Sequence, residues 1–194
     1  MPDARGAGKR VVDAVAKRAA EVKAEVDAEY QRAREAGEMA EEVDTTALVT
    51  KLRDIEPSAT NAGVIKTAQA ELIRLGGAER AEDGSLVPGK LSLDKLEELR
   101  KTVGVGGRKD ATNAHFAGEI KKAIDLATEN AGGDIYRGAR AKYRAYAEEF
   151  KNRKIVADLI TTKRGTDERR VALEDVHKRT IKDGSVDEIT KLRD

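Results

Sequence analysis

Side chains suited to catalysis or metal binding are scarce in this chain. It contains two histidines, His115 and His177, and no cysteine. Neither histidine has a partner at the spacing of a His-Glu-x-x-His metal site, and no Gly-x-Ser-x-Gly nucleophile turn occurs. Both histidines fall in segments predicted to be helical, where a structural or surface role is expected. The sequence therefore predicts no metal centre, and without cysteine it has neither disulfides nor a thiolate site.

The nearest approach to a phosphate-binding loop is Gly104-Val-Gly-Gly-Arg-Lys109, ahead of a predicted helix start. Backbone amides and two cations at a helix N-terminus could hold an anion. The segment lacks the preceding strand and the spacing of a nucleotide loop, so we predict a flexible connector. Elsewhere, Asp and Glu alternate with Lys and Arg as on exposed helix faces, and no catalytic carboxylate pair stands out. We predict that the chain is not an enzyme and binds no cofactor.

Positive charge is concentrated between residues 137 and 154, where seven basic residues stand against two acidic ones. Tyr143 and Tyr146 are interleaved with these cations, and basic residues mixed with aromatic ones are typical of nucleic-acid interfaces. A solvated helix face is the competing interpretation, and packing against the acidic segment 38–56 is a third. Candidate contacts with nucleic acid or another anionic surface are Arg137, Arg140, Arg144, Lys151, Arg153 and Lys154.

The composition favours an all-α protein. Of the 194 residues, 38% are charged and only 3% are aromatic, whereas charged residues make up about 25% of a typical soluble domain. A core of Ala, Val, Leu and Ile suits helical bundles better than thick sandwiches or doubly wound sheets. The net charge of +1 indicates no particular partner. Because no apolar run approaches the roughly 20 residues that span a bilayer, and no secretory signal is evident, we expect a soluble chain.

Helical periodicity is clearest in the first predicted helix, from about Lys9 to Val43. Its apolar residues recur at steps of three and four, the pattern of a coiled-coil seam, with a stutter-like extra step at Tyr30. Most of these residues are small, so the helix should approach its partner closely. That partner lies either elsewhere in the chain or in another copy. The predicted helix-pairing seam comprises Val12, Val15, Ala19, Val22, Val26, Tyr30 and Ala33.

Capping and breaking residues divide the remainder into shorter helices. Asp44 or Thr45 caps the second helix, and Gly76-Gly77 ends the third. Segment 76–91 is predicted as a surface loop, with a small β-hairpin as the alternative. The predicted helices after the first are 45–56, 58–75, 92–103, 110–130, 134–161 and 166–182.

The predicted fold is an elongated all-α bundle with a long N-terminal coiled-coil-like helix and a C-terminal helical hairpin, formed by 110–130 and 134–161. Its predicted organisation has three parts. Residues 1–75 hold the long helix and two shorter ones, residues 76–91 are the loop or small hairpin, and residues 92–194 form a C-terminal helical domain.

The last residues, Gly184 to Asp194, have the features of a helix start. Ser185 is a good N-cap and Glu188 stands at the capping-box position. Only about two turns follow, and helices shorter than roughly 12 residues are marginal alone. The stretch repeats the pattern of residues 92–100, although convergence on a good helix start explains this equally well. Because the first copy continues into a longer helix, we expect the parent chain to continue beyond Asp194.

Three helical blocks carry a resemblance to a known family. They are Ser92-x-x-x-Leu-x-x-Leu-Arg100, Ala117-Gly-Glu-Ile-Lys-Lys-Ala-Ile-Asp125 and Ala139-Arg-Ala-Lys-Tyr-Arg-Ala-Tyr-Ala-Glu-Glu-Phe150. Their order and pattern resemble the helical region of tailed-phage internal virion proteins, also called DNA-transfer, ejection or pilot proteins. The resemblance covers residues 85–194 and includes no catalytic motif. Some family members carry a peptidoglycan-cleaving domain, which nothing in this sequence matches.

The resemblance implies a non-enzymatic structural protein involved in genome delivery. Such a protein is made in the bacterial cytoplasm, packed in the capsid or at the portal and tail, and released with the genome into the host envelope. The implied partners are other virion proteins, further copies of the same chain and DNA, with no small-molecule substrate. Two alternatives stay open: a scaffold or adaptor that pairs through the seam, and a nucleic-acid-binding module that uses residues 137–154.

Overall fold

The all-α class is confirmed in the computed structural model, which describes residues 3–55, 63–163 and 166–183. The helices are α1 (Ala4–Glu35), α2 (Thr46–Ile55), α3 (Gly63–Leu75), α4 (Leu93–Gly106), α5 (Ala111–Ala127), α6 (Asp134–Ala147), α7 (Lys154–Ile160) and α8 (Val176–Asp183). The strands are β1 (Glu42–Asp44), β2 (Ala78–Arg80), β3 (Leu86–Pro88) and β4 (Lys90–Ser92). The predicted long N-terminal helix and the helical C-terminal region are both present.

The chain divides into two compact units. Unit 1 comprises the described residues of 1–30 and 138–194, and unit 2 comprises those of 31–137. The chain passes from one unit to the other within α1 and again within α6. The divisions predicted at residues 75 and 91 do not coincide with these boundaries, because Val12 and Ala19 of α1 pack against side chains from residues 150–176.

Polar and glycine residues define both ends of α1. The Asp3 carboxylate accepts a hydrogen bond from the Gly6 N–H at 2.9 Å, which satisfies a donor that the first helical turn leaves open. Gly37 has φ of 78°, a left-handed conformation that glycine adopts without steric cost. The chain then forms a 3₁₀ turn, Glu38–Ala40, before β1. The prediction that the first helix continues to Val43 is therefore wrong.

Unit 2 is built on the packed helices α2 to α5. Helix α3 lies mainly against α4, and α5 contacts α2, α3 and α4. The large aliphatic side chains on the facing sides of these helices are removed from water. Burial of each such side chain stabilises the fold by roughly 1.5–3 kcal/mol. The buried side chains of these helices include Leu48, Leu52, Ile55, Val64, Ala68, Leu72, Leu75, Leu93, Leu96, Leu99, Phe116, Ile120 and Ile124.

Capping residues and a glycine begin and end these helices. The Ser92 hydroxyl accepts from the Lys95 N–H at 3.5 Å, and the Asp110 carboxylate accepts from the Asn113 N–H at 2.8 Å. The hydrogen bond from the Asn113 N–H holds the pKa of Asp110 below its ordinary value. Helix α3 ends at Gly76, where φ is 87°. The start predicted for this helix, at 58–60, lies outside the described residues.

The segment after α3 is a β-hairpin, so the alternative interpretation is correct and the surface loop is wrong. Strands β2 and β3 pair antiparallel, with Ala78 opposite Pro88 and Arg80 opposite Leu86. Gly84, with φ of 85°, lies in the connecting turn.

A second strand pair, β1 with β4, was not predicted. Val43 lies opposite Leu91 in this antiparallel pair. The buried Thr45 hydroxyl links it to the hairpin, because it lies 2.6 Å from the Gly77 carbonyl oxygen and accepts from the Gly89 N–H at 3.0 Å. Asp44 accepts from the Thr46 N–H at 2.7 Å and so begins α2, as predicted.

The glycine-rich segment at residues 104–109 is largely helical. Helix α4 continues through Gly106, so the predicted flexible connector is wrong over its first half. A Cβ on Gly106 would come within 3.0 Å of Val64 Cγ2. Close packing between α4 and α3 therefore explains this glycine better than flexibility does.

Unit 1 has helix breaks that the sequence did not reveal. The arm predicted as 134–161 is α6, a π-helical turn at Glu148–Asn152 and then α7, with Arg153 extended at ψ of 107°. The helix predicted from Thr166 begins only at Val176, because Thr162 forms a β-bridge with Arg169 and a 3₁₀ turn covers Leu173–Asp175. The closing helix predicted from Ser185 lies outside the described residues.

Candidate functional site

Two of the three blocks that carry the family resemblance pack against each other in unit 2. Leu96 and Leu99 from α4 and Ile120 from α5 are fully buried, and the two helices are in contact. Arg100 closes the interface by donating to both carboxylate oxygens of Asp125. Its side chain is 15% exposed and that of Asp125 is 28% exposed. These two blocks thus correspond to one packed helix pair with an ion pair at its edge.

The third block forms most of α6 and the π turn. Ala139 and Phe150 are buried, and Phe150 packs with Ala19 and Val156 in a core cluster that also includes Tyr146. The Lys151 ammonium lies 5.0 Å from the ring centroid of Tyr143 and 5.3 Å from that of Tyr146. Such cation–π contacts fix the lysine against the half-buried aromatic side chains.

The candidate basic contacts do not form one exposed surface. Arg140 is only 5% exposed, so the prediction that it contacts an external anion is wrong. Helix α6 buries its Ala139 and Arg140 side, which the pattern of charge alone did not indicate. Arg137 belongs to unit 2 and donates to the Gly132 carbonyl and to Asp134, each at 2.7 Å.

The remaining candidates belong to unit 1. Arg144 and Lys154 are exposed, Arg153 is half-buried, and Lys151 is exposed but lies over the two tyrosines. Lys142, from the same charge run, pairs with Glu29 of α1 at 2.5 Å. Exposed cations therefore remain in unit 1, although the burial of Arg140 removes one candidate from between Arg137 and Arg144.

The predicted seam is covered by the chain itself. Val12 is fully buried in a cluster with Ile155, Leu159, Val171 and Val176. Further along α1, Ala19 packs with Phe150 and Val156, with Val15 and Val22 against the same cluster. Val26, Tyr30 and Ala33 are also buried. The partner of the seam thus lies elsewhere in the chain, which was one of the two interpretations open from the sequence.

The acidic segment 38–56 makes contacts of a different kind from those expected. The Glu38 carboxylate accepts from the Tyr136 N–H at 2.7 Å, and Glu41 accepts from the Gly132 N–H at 2.9 Å. These amides lie at the start of α6, where unsatisfied N–H groups attract negative charge. The acids therefore bind backbone donors, and the proposed pairing with the cations of residues 137–154 is wrong for these two.

Several buried polar contacts in unit 2 were missed. The Asn113 amide oxygen accepts from the Val64 N–H at 2.8 Å and so supports the start of α3 from α5. The Tyr136 hydroxyl donates to the Glu97 carboxylate at 3.1 Å, and both side chains are buried. Partners separated by 39 or 49 residues leave no local signal in the sequence.

Other candidate chemistry stays on the surface. His115 and His177 are both exposed. Within the described ranges, no group of three or more His, Asp and Glu is placed to hold a metal ion. Over those same residues, no helix is both long enough and apolar enough to cross a bilayer.

Comparison with known proteins found no match among family models, curated proteins or solved structures.

Proposed function

We propose that this chain is a non-enzymatic structural component of a tailed-phage virion that takes part in delivering the genome to the host. The observation that carries the proposal is the α4–α5 pair. The first two blocks of the resemblance meet there, and Arg100 of one binds Asp125 of the other. If the two blocks resembled the family only because amphipathic helices look alike, their last residues, Arg100 and Asp125, would have no reason to pair between α4 and α5.

The proposal includes the setting that the family resemblance implies. The protein resides inside the capsid or at the portal and tail, and enters the host envelope with the genome. Its partners are other virion proteins, further copies of itself and the passing DNA. No cofactor or small-molecule substrate is part of the proposal.

The two alternatives draw less support from the observed contacts. An adaptor that pairs through the seam needs α1 to present Val12, Ala19 and Val26, and the chain itself buries all three. A nucleic-acid module built on residues 137–154 needs Arg140 at the surface, and that side chain is buried. Self-association, if it is present, uses another surface than the seam.

Quantitative mass spectrometry of purified virions tests the proposal. We expect peptides of this chain in particles produced by the strain that encodes it, at a fixed ratio to the major capsid protein. After genome release is triggered, they should be depleted from the emptied particles while the capsid protein remains. Absence from intact particles, or full retention in emptied ones, would contradict genome delivery.

Light scattering after size exclusion tests the role of the seam. Replacing the half-buried Val22 with Glu puts a charge against the cluster of Phe150 and Val156. Because this cluster is internal, we expect lower stability with an unchanged ratio of oligomer to folded monomer. Clean dissociation into a stable monomer of about 21 kDa would instead support an adaptor that pairs through α1.

A further inference from the structure

A cleft of about 520 Å³ opens in unit 1 between α7, the segment 170–175 and α8. Its volume lies within the roughly 300–1,000 Å³ typical of ligand sites. The lining is mostly charged, which sets it apart from an apolar groove between helices. It consists of Asp158, Arg170, Val171, Ala172, Asp175, Lys178 and Arg179.

Two arginines converge on one carboxylate at the cleft. Nη1 of Arg170 lies 3.3 Å from one oxygen of Asp158, and Nη2 of Arg179 lies 3.4 Å from the other. The Asp158 side chain is only 15% exposed, so it holds the two guanidinium groups from the inner side. One carboxylate thus orients two guanidinium groups.

Of the charged residues that line the cleft, three are basic and two are acidic. Lys178 is exposed and adds a third cation, while Asp175 adds a second carboxylate. Arg170 contacts Asp158 through Nη1 and the Thr162 carbonyl through Nε. Among the described residues its Nη2 makes no hydrogen bond. Guanidinium donors in a fixed fork match the oxygens of phosphate.

The surrounding part of unit 1 is also basic. Residue 8 of α1 is a buried glycine, and a Cβ there would overlap the Leu173 carbonyl oxygen, so the start of α1 lies directly against the segment that lines the cleft. Arg5, Lys9 and Arg10 flank this glycine. Over its whole sequence, unit 1 has 21 basic and 17 acidic residues, whereas unit 2 has 16 and 19. The positive charge of the protein is therefore gathered in the unit that contains the cleft.

We propose that the cleft formed by Asp158, Arg170, Lys178 and Arg179 binds a phosphate group of a larger ligand. In this site Arg170 and Lys178 donate to the phosphate oxygens, Asp158 orients the arginines, and Asp175 opposes binding. A cation site is excluded by the three positive side chains. The inference does not depend on the virion proposal, and its residues differ from those of the run 137–154.

Binding measurements with two probes test the site. Isothermal titration with pyrophosphate reports on a free phosphate compound, and anisotropy of a labelled single-stranded DNA reports on a phosphodiester chain. We expect at least one probe to bind, with affinity that falls as salt rises. Binding of both or of DNA alone assigns the site to a polymer backbone, and binding of pyrophosphate alone assigns it to a free phosphate compound.

Three variants locate the binding. Lys178→Gln and Arg170→Gln should each weaken it by about tenfold or more, as expected for loss of a hydrogen bond to a charged group. Asp175→Asn should strengthen it. Lys178 is exposed, so Lys178→Gln remains informative even if Arg170→Gln fails to fold.

Lys17→Gln, an exposed change further along α1 in unit 1, is the matched control and should leave affinity nearly unchanged. The proposal is overturned if neither probe binds. It is equally overturned if Lys178→Gln weakens binding no more than Lys17→Gln does.

Discussion

Most ion pairs of helix α1 within unit 1 differ from those that connect the elements of unit 2. In unit 2, ion pairs connect elements far apart in the chain, as in Arg34 with Asp94 and Lys51 with Glu119. In unit 1, Glu29 of α1 pairs with Lys142 of α6, but the other ion pairs of α1 run along its own surface, as in Lys9 with Asp13, four residues apart. Pairs of the second kind stabilise a helix by only about 0.2–0.5 kcal/mol each and do not specify what it packs against.

This difference shows where the fold of each unit is specified. Unit 2 combines a core of large aliphatic residues with polar contacts that match particular helices. Unit 1 relies on the small residues of the seam and on the close approach of α1 at Gly8. Substitutions in the two units should therefore fail for different physical reasons.

The largest expected effect is in the core of unit 2. Leu99 is fully buried in α4, so Leu99→Ala should lower the free energy of unfolding by about 2–5 kcal/mol through lost burial and a residual cavity. Urea denaturation followed by circular dichroism measures the change. Leu126→Ala is the matched control, because Leu126 is 71% exposed in α5, and it should change stability by no more than about 0.5 kcal/mol. Equal effects of the two changes would contradict the described core.

The next largest effect is in unit 1, at the close approach of α1. Gly8→Ala puts a Cβ into the Leu173 carbonyl oxygen, and such overpacking typically costs about 1–3 kcal/mol. Gly138→Ala, also in a helix of unit 1, meets nothing within 4 Å and should stabilise the protein by about 0.5–1 kcal/mol. Thermal unfolding compares the two variants. A stabilising Gly8→Ala would show that α1 does not pack here as described.

A smaller effect is expected for the ion pair that joins α4 to α5. Arg100→Gln removes a partly buried ion pair with Asp125 and should cost about 1–3 kcal/mol. A double-mutant cycle with Asp125→Asn should give a positive coupling energy. The comparison cycle uses the exposed pair Lys9 and Asp13 in α1, where coupling near zero to about 0.5 kcal/mol is expected. Similar coupling in both cycles would remove the distinction between the two units.

The smallest effect concerns the contact between α2 and α5. Hydrogen bonds from Lys51 and then Lys122 lower the pKa of Glu119 to about 2. Because the folded pKa is depressed, this contribution to stability is full above about pH 4.5 and is lost as the pH falls toward 2. The stability difference between the native chain and Glu119→Gln should shrink over that range.

The direct measurement is the carboxyl chemical shift of Glu119 during an NMR pH titration. In Lys51→Gln the pKa should move back toward 4.5, whereas Lys17→Gln should leave it in place. A pKa of Glu119 near its ordinary value in the native chain would show that Lys51 does not bridge α2 to α5 in solution.

Sequence reasoning succeeded where the signal is local. The helix starts predicted at residues 92 and 110 depend on signals within one turn, and the structure places Ser92 and Asp110 there as N-caps. The pairing of β1 with β4 joins strands almost fifty residues apart and only three residues long, too short to show an alternating pattern. The end of α1 does have a local signal, because glycine is common just after the last residue of a helix, and the predicted helix ran past Gly37.

The candidate site was predicted less well than the fold. The charge run 137–154 contains no glycine or proline between Ala139 and Lys154. No helix-breaking residue therefore marks the π turn or the break at Arg153 in the sequence. Burial of Arg140 depends on which side of α6 faces the interior, and a run of charges carries no such information. The cleft at Asp158 needs α7 and α8 together, and its residues lie 12 to 21 positions apart.

The boundaries at 30/31 and 137/138 have a consequence for synthesis of the protein. Residues 3–30 leave the ribosome before the rest of unit 1, yet Val12 and Ala19 need partners from residues 150–176. The 107 residues of unit 2 emerge in between, which takes about 5–20 s at 5–20 residues per second. Unit 2 therefore has all its own partners before unit 1 does, and the apolar stripe of α1 must wait, exposed to nascent-chain chaperones, until residues 150–176 have been synthesised.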